Sequence, residues 1–341
     1  MNRRRTGRRS TTLRAAAVAV AGAILAAACA TPQTAGPDRG DEGGAPAPPD
    51  RPITMIAAFG AGGGSDQVAR AAAQVMERSL GVSVPVVNVP GATGNVGLNK
   101  LVTGRPDSMA VLIQDTLATV ALGTSQFRLD QIKAVCRLQN MPSALLVRRG
   151  TFDGTWDGLA AAAKERPNEV KVATVGRGGI DDLMLAALTE SQATAFRAVP
   201  FAEPSERYAA LLSGSVDALY EQLGDVRQYL DSGEFVPVVL FADEPIAAYQ
   251  GVPTATDLGI PPEFVLPQFR GVVVHADTDP VLVGRLGDAC AKVVEDPTFL
   301  GFQEEVFSTA DSYLPAGEFE QFLREQEKAM GELLQRYNVA G

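Results

Sequence analysis

The chain has 341 residues, 46% of them hydrophobic and 21% charged, which is enough for two domains with a sizeable core and is ordinary for a soluble globular protein. The formal net charge is −10, but six of the 30 basic residues are arginines at the very start. Without residues 1–28, which hold no acid, 24 basic side chains face 40 acidic ones, a net −16. A surface of that sign disfavours nucleic acid, and no nucleic-acid partner is expected.

Arg3, Arg4, Arg5, Arg8, Arg9 and Arg14 precede an Ala/Val-rich run from Ala15 to Ala28. A basic region followed by about 14 small apolar residues reads as an export signal over residues 1–28, too short to be a stable membrane span. Arg8-Arg9 leaves the twin-arginine route open, although Ser10-Thr11-Thr12 favours the general secretory one. Leu25-Ala26-Ala27-Ala28-Cys29 resembles a bacterial lipoprotein box, with Ala26 where that pattern prefers Leu. Lipidation of Cys29 is the expectation, and ordinary cleavage after Ala-x-Ala is the alternative. A lipidated chain is held at a membrane surface without crossing it. Residues 29–51 are Pro, Gly, Asp and Thr with almost no large apolar side chain, so they read as a flexible tether.

Folded sequence begins near Pro52. Ile53 to Ala58 is an apolar run suited to a buried strand. Phe59 to Asp66 is too glycine-rich for regular structure, and Val68, Ala69, Ala72, Ala73 and Met76 then fall at helical spacing. Val82 to Val87 reads as a second strand, Asn88 to Gly97 as a second glycine turn opening a helix, and Ala110 to Gln114 as a third strand. Asp115-Thr116 and a helical Leu117 to Leu122 follow. Three such alternations predict α/β layering with a parallel sheet.

Ala144 to Val147 leads into a second alternating unit: a helix from Trp156 to Lys164, a strand Val170 to Val175, a turn Gly176 to Asp182, and a helix from Leu183 to Ser191. A strand Phe196 to Phe201, a turn Ala202 to Ser205, a helix Arg207 to Leu212 and strands Val216 to Glu221 and Val236 to Phe241 complete it. Beyond Val252 come Pro-rich connections, a strand Gly271 to Val274, a helix Pro280 to Val294, and a final helix. The apolar face of that last helix carries Phe319, Phe322, Leu323, Met330, Leu333, Leu334 and Tyr337. Cys136 and Cys290 fit no disulfide framework and are expected to be buried thiols, although an oxidising compartment permits a bridge.

A glycine turn that opens a helix leaves backbone N–H groups without internal partners, and with the helix dipole these make a seat for an anion. Ligands of parallel sheets sit beyond the C-terminal strand ends, so the turns converge on one edge. Gly60–Gly64 and Gly176–Gly179 repeat one device in the two halves, and facing each other they would line a cleft with amides. Ser65 or Asp66 is expected to cap its helix.

The sequence resembles the extracytoplasmic solute receptors of tripartite tricarboxylate transporters, the TctC or Bug family, over nearly all of residues 52–341. The resemblance rests on Ala58-Phe59-Gly60-Ala61-Gly62-Gly63-Gly64-Ser65-Asp66 and Val87-Asn88-Val89-Pro90-Gly91-Ala92-Thr93-Gly94-Asn95. Val199-Pro200-Phe201, Gly214-Ser215-Val216-Asp217 and Val252-Pro253-Thr254 follow in order. It implies a periplasmic-binding-protein type II fold, two α/β lobes with a ligand cleft between them. Lobe I would be residues 52–148 and 250–341, and lobe II residues 149–249. The implied function is capture of a small organic carboxylate and its delivery to membrane permease subunits. Neither catalysis, cofactor nor metal is implied, and a monomer is expected. The protein would be exported, lipid-anchored on the outer face of the cytoplasmic membrane or periplasmic.

Ligand-binding residues implied by the resemblance are Phe59, Gly60, Gly62, Gly63, Gly64, Ser65, Asp66, Gly91, Ala92, Gly94, Asn95 and Thr116 in lobe I. Gly176, Arg177, Gly178, Gly179 and Ser205 join them from lobe II, with Glu221 where the family has Asp or Asn. Both prolines of the first signature are missing, and Arg177 and Asp181-Asp182 replace the usual Ser or Thr and His. Arg177 suits bidentate grip of a carboxylate, or else pairs with Asp181 or Asp182 in a solvated loop. Glu221 meets a ligand donor or is a surface acid. Thr116 donates to a carboxylate or caps a helix. His275, the single histidine, reads as a solvated strand-end residue.

Three other functions compete. Gly60-x-Gly62-x-x-Ser65 approximates a dinucleotide fingerprint, but Asn88 stands where a ribose-binding acid belongs. Ser65 lacks the Gly-x-Ser-x-Gly setting of a hydrolase, leaving His275 as the one candidate base. A ligand-sensing lipoprotein serving a signalling partner has the same sequence pattern as a transport receptor.

Overall fold

Strands with apolar side chains on both faces must be covered on both, and the first strand sets this pattern. In β1 (Thr54–Ala57), Met55 and Ala57 pack to one side and Ile56 to the other, all fully buried. The computed structural model describes residues 51–176, 178–242, 244–266 and 268–337. The export segment, Cys29, the tether up to residue 50 and Arg177 lie outside the described residues.

After β1 come α1 (Gly64–Leu80), β2 (Val86–Asn88), α2 (Asn95–Thr103), β3 (Ser108–Ile113), α3 (Gln114–Ala121) and β4 (Ile132–Met141). Pro85, which has no N–H to give a ladder, shortens the predicted second strand to its end. The second layer set contains β5 (Ser143–Arg148), α4 (Trp156–Glu165), β6 (Lys171–Thr174), α5 (Ile180–Gln192) and β7 (Arg197–Pro200). It continues through α6 (Pro204–Ser213), β8 (Ala218–Gln222), α7 (Arg227–Asp231) and β9 (Phe235–Phe241). The chain closes with β10 (Gln268–His275), α8 (Pro280–Glu295), α9 (Pro297–Glu305), β11 (Leu314–Pro315) and α10 (Ala316–Arg336).

Two sheets result. One has the order β2-β1-β3-β10-β4-β11, parallel through its first three strands and antiparallel beyond; the other runs β7-β6-β8-β5-β9. Each is an α/β lobe. In the first, α1 and α8 cover one face, while α2, α3 and α10 cover the other. In the final helix Phe319, Leu323, Met330, Leu333 and Leu334 are buried, and Phe322 and Tyr337 lie half-buried against them. The chain passes between the sheets at Pro142, where β4 ends and β5 begins, and again between β9 and β10. In that second passage Leu240 bonds Pro253 O and Ala255 N, so residues 253–255 still ride on the second sheet.

Two features differ from expectation. β4, ten residues long and paired on both sides by β10 and the edge strand β11, has no counterpart among the predicted strands. Cys136 on β4 and Cys290 on α8 form a disulfide across 154 positions and are not two thiols. Such a separation leaves no local spacing pattern to read.

Candidate functional site

The glycine turns take different positions at the ends of the strands. Gly91, Ala92, Thr93 and Gly94 all have positive φ, at 129°, 47°, 53° and 82°. This run curls the backbone into an arc, and no hydrogen bond uses the N–H groups of Ala92, Thr93 or Gly94 among the described residues. Consecutive amides in such a turn form an anion-binding concavity. A Cβ on Gly94 would land on Thr116 Oγ1 and on the Phe59 ring. Thr116 is fully buried inside the first turn of α3, and its hydroxyl has no partner among the described residues.

Phe59 and Gly91–Gly94 form one wall of a cavity of about 270 Å³; Val175, Gly176, Pro200, Phe201 and Ala202 of the second lobe form the other. Thr93 Oγ1 lies against Gly176 Cα, so the lobes meet where the second has no side chain. Of the residues that sequence reasoning placed here, Phe59, Gly91, Ala92, Gly94 and Gly176 line the space, and Thr116 stands behind it. Val175, Pro200 and Ala202 were not anticipated as lining residues, and Phe201 was noted solely as a landmark.

The other turns are occupied by the protein itself. Gly62 N–H donates to Asp66 Oδ2 at 3.0 Å, one residue ahead of the N-cap Gly63. Burial pushes the Asp66 carboxyl up, but its bonds to Arg70 (2.8 Å away) and Gly62 hold it below the usual range. Ser65 is buried and makes no capping bond. Glu203 and Pro204, at the start of α6, cover Gly60 and Gly63; Arg270 and Asp225 cover Gly64. At the head of α5, Val175 N–H donates to Asp181 (2.6 Å), Gly178 N–H to Asp182 (2.8 Å), and Ile180 N–H to Asp115 of the first lobe (3.2 Å). Gly179 lies against the same Asp115 oxygen. Asn95 braces the arc, donating to Ala92 O and Thr119 and accepting from Ser125. Ser205 is exposed on α6.

Glu221 is buried and committed. Its carboxylate accepts from Arg207 at 2.6 Å, from Tyr208 at 3.3 Å and from the Gln222 N–H at 3.2 Å. Arg207 Nε and Nη1 have no hydrogen-bond partner among the described residues. With Asp115, Asp181 and the Asp225–Arg270 ion pair, they make a buried group of four carboxyls and two guanidiniums. Burial pushes Asp115 up to about 6, and the Glu221 charge adds to the shift; burial and the Asp115 charge push Asp181 well above the carboxylate range. Between 3.8 and about 6, native Asp115 holds a proton the unfolded chain has lost, so stability falls as pH rises through that window. Asp115→Asn keeps an oxygen for Ile180 N–H. It should stabilise the protein by about 1–3 kcal/mol near pH 7.5 and hardly at all near pH 4. Denaturant unfolding at both pH values checks this, and equal effects would contradict it.

A larger cavity of about 860 Å³ lies on the hinge side, among Met141, Phe241, Ile246, Leu266, Phe307 and Phe322. Its one lining cation among the described residues, Arg137, already donates to Ser312 O and Asp311 O. His275 Nε2 lies 3.1 Å from Val102 O at the end of β10. No group of three or more His, Cys, Asp or Glu among the described residues is placed to hold a metal ion.

Residues 68–339 match the profile of the tripartite tricarboxylate transporter family receptors. Protein BugT of Bordetella pertussis is 28% identical over 241 residues, covering 69% of this chain and 74% of BugT. The periplasmic binding protein BugD superposes with a TM-score of 0.78 at 20% identity, covering 85% of this chain and 99% of BugD. MatC from Rhodopseudomonas palustris, solved with bound malate, superposes at 0.76 with 24% identity, covering 84% of this chain and 99% of MatC.

Proposed function

The chain belongs to the tripartite tricarboxylate transporter receptor family, and we propose that it captures a small organic carboxylate between its lobes and hands it to the membrane permease subunits of such a transporter. The family is one of receptors, and the chain is a solute-binding protein of that class, not an enzyme. The supporting observation is the cleft of about 270 Å³ between the Gly91–Gly94 arc and the second lobe: among the described residues the amides of Ala92, Thr93 and Gly94 carry no hydrogen bond, and the Thr116 hydroxyl behind the arc has no partner. A carboxylate there replaces water around donors the fold leaves free, and closure of the lobes buries it.

The same reading places lobe I over about residues 52–148 and 250–341 and lobe II over 149–249. It makes Cys29 the lipid attachment and the protein a monomer at the outer face of the cytoplasmic membrane or in the periplasm. No helix among the described residues is long and apolar enough to cross a membrane. Arg177, between Gly176 and Gly178, supplies further grip on the anion.

Thermal-shift measurement against a panel of carboxylates tests the reading, because a ligand bound by the native state alone at about 100 times its Kd adds about 2.7 kcal/mol of stability. At least one carboxylate should raise Tm. Gly176→Val, which puts a side chain against Thr93, should weaken that ligand at least tenfold while leaving the ligand-free Tm within about 2 °C of wild type. A Tm raised by nucleotides alone would refute transport of carboxylates.

A further inference from the structure

The amides of Ala92, Thr93 and Gly94 belong to the turn before α2, whereas the Thr116 hydroxyl belongs to α3. The two pieces pack too closely for a side chain at Gly94, whose Cβ would meet Thr116 Oγ1. The turn is also a conformation that L-residues resist. Ala92 and Thr93 sit at φ 47° and 53°, and threonine is β-branched. Such a backbone persists where its surroundings over-determine it.

A single chain of hydrogen bonds supplies that constraint. Phe127 N–H donates to Ser125 Oγ (3.2 Å), and the Ser125 hydroxyl donates to Asn95 Oδ1 (2.6 Å). Asn95 Nδ2 donates to Ala92 O (2.8 Å) and to Thr119 Oγ1 (2.9 Å), and the Thr119 hydroxyl donates to Thr116 O (2.7 Å). Each hydroxyl gives its proton once and accepts once, so every bond in the chain has a fixed direction. Ala92 O accepts a second time, from Asn95 N–H at 3.1 Å. Asn95 and Thr119 are buried, and Ser125 is half-buried in the connection from α3 to β4. With both amide hydrogens placed, the Asn95 side chain keeps none to donate to a ligand.

Building on the receptor reading, we propose that Asn95, Thr119 and Ser125 are positioning residues: they hold the Gly91–Gly94 arc and Thr116 together as one preset carboxylate seat without touching the carboxylate themselves. A seat ordered beforehand loses little conformational entropy on binding, and the difference appears as affinity.

Asn95→Ala removes three bonds at once and risks unfolding the first lobe, so the outlying hydroxyls carry the test. Isothermal titration with benzoate, hexanoate, malate, adipate and citrate identifies the tightest of the five for the wild type. That carboxylate is then titrated into Ser125→Ala and Thr119→Val. Each should weaken Kd by about fivefold or more while Tm falls by no more than about 4 °C. Ser125→Thr and Thr119→Ser keep the hydroxyl and should bring Kd back to within about twofold of wild type. Thr194→Val removes a buried hydroxyl bond elsewhere, from Thr194 Oγ1 to Leu188 O at 3.0 Å, and should lower Tm comparably with Kd unmoved. In relaxation-dispersion NMR the amides of Ala92, Thr93 and Gly94 should show μs–ms exchange in Ser125→Ala and not in wild type. Ser125→Ala and Thr119→Val binding as tightly as wild type would overturn the proposal. So would a loss of affinity that Thr194→Val reproduces, because lowered stability alone would then account for it. Binding of none of the five by the wild type would refute the receptor reading, whereas arc amides unchanged in Ser125→Ala would refute the positioning role by itself.

Discussion

Arg207→Met should lower the unfolding free energy by about 3–5 kcal/mol near pH 7.5, and by visibly less near pH 5. The guanidinium is 4% exposed and sits 2.6 Å from Glu221, itself 2% exposed. Methionine supplies bulk without charge and leaves Glu221 with the Tyr208 hydroxyl and one amide. The four buried carboxyls would then share one guanidinium, that of Arg270. Burial already raises Asp115, Asp181 and Asp225, and losing a nearby cation raises them further, so the loss grows as pH climbs through their titration and shrinks once they are protonated. Arg207→Lys should recover part of the loss, since an ammonium restores the charge without the planar fork. Urea unfolding of the three proteins at two pH values decides the matter. A methionine variant equally destabilised at both would show that packing, not charge, is what Arg207 provides.

Reducing Cys136–Cys290, or replacing both by serine, should cost about 4 kcal/mol. The bridge closes a loop spanning 154 positions. Chain-entropy estimates give about 4.7 kcal/mol for a 100-residue loop, and measured native bridges fall mostly at 2–5. Both sulfurs are fully buried between β4 and α8. The oxidised protein should therefore resist mild reductant while folded and show its lower stability after reduction in denaturant. Serine variants as stable as the oxidised wild type would contradict the estimate. The bridge suits a chain folded outside the reducing cytoplasm.

Much of this architecture was legible because its signals are local. A short apolar run, two or more glycines and a helical repeat mark β1–α1, β2–α2 and β6–α5 within a few residues each, and the arc at Gly91–Gly94 uses positive φ that glycine permits. What stayed hidden depends on partners far along the chain. β4 buries Arg137 and Gln139, whose sequence does not read as a core strand. Arg137 is satisfied by Ser312 O and Asp311 O, and Gln139 by Gln303. Glu221 looked open to a ligand until Arg207, on α6, was seen to claim it. Asp115 read as a turn residue, yet its oxygen meets Ile180 across 65 positions.

One consequence of the connection at Pro142 concerns how a bound guest escapes. β4 and β5 are separated by that single residue, whose ring fixes φ. A spine so short, with the passage from β9 to β10 as a second tie, should favour a swing of the two sheets about it, like the leaves of a book, over a glide. Such a swing would widen the mouth most at the rim farthest from the spine.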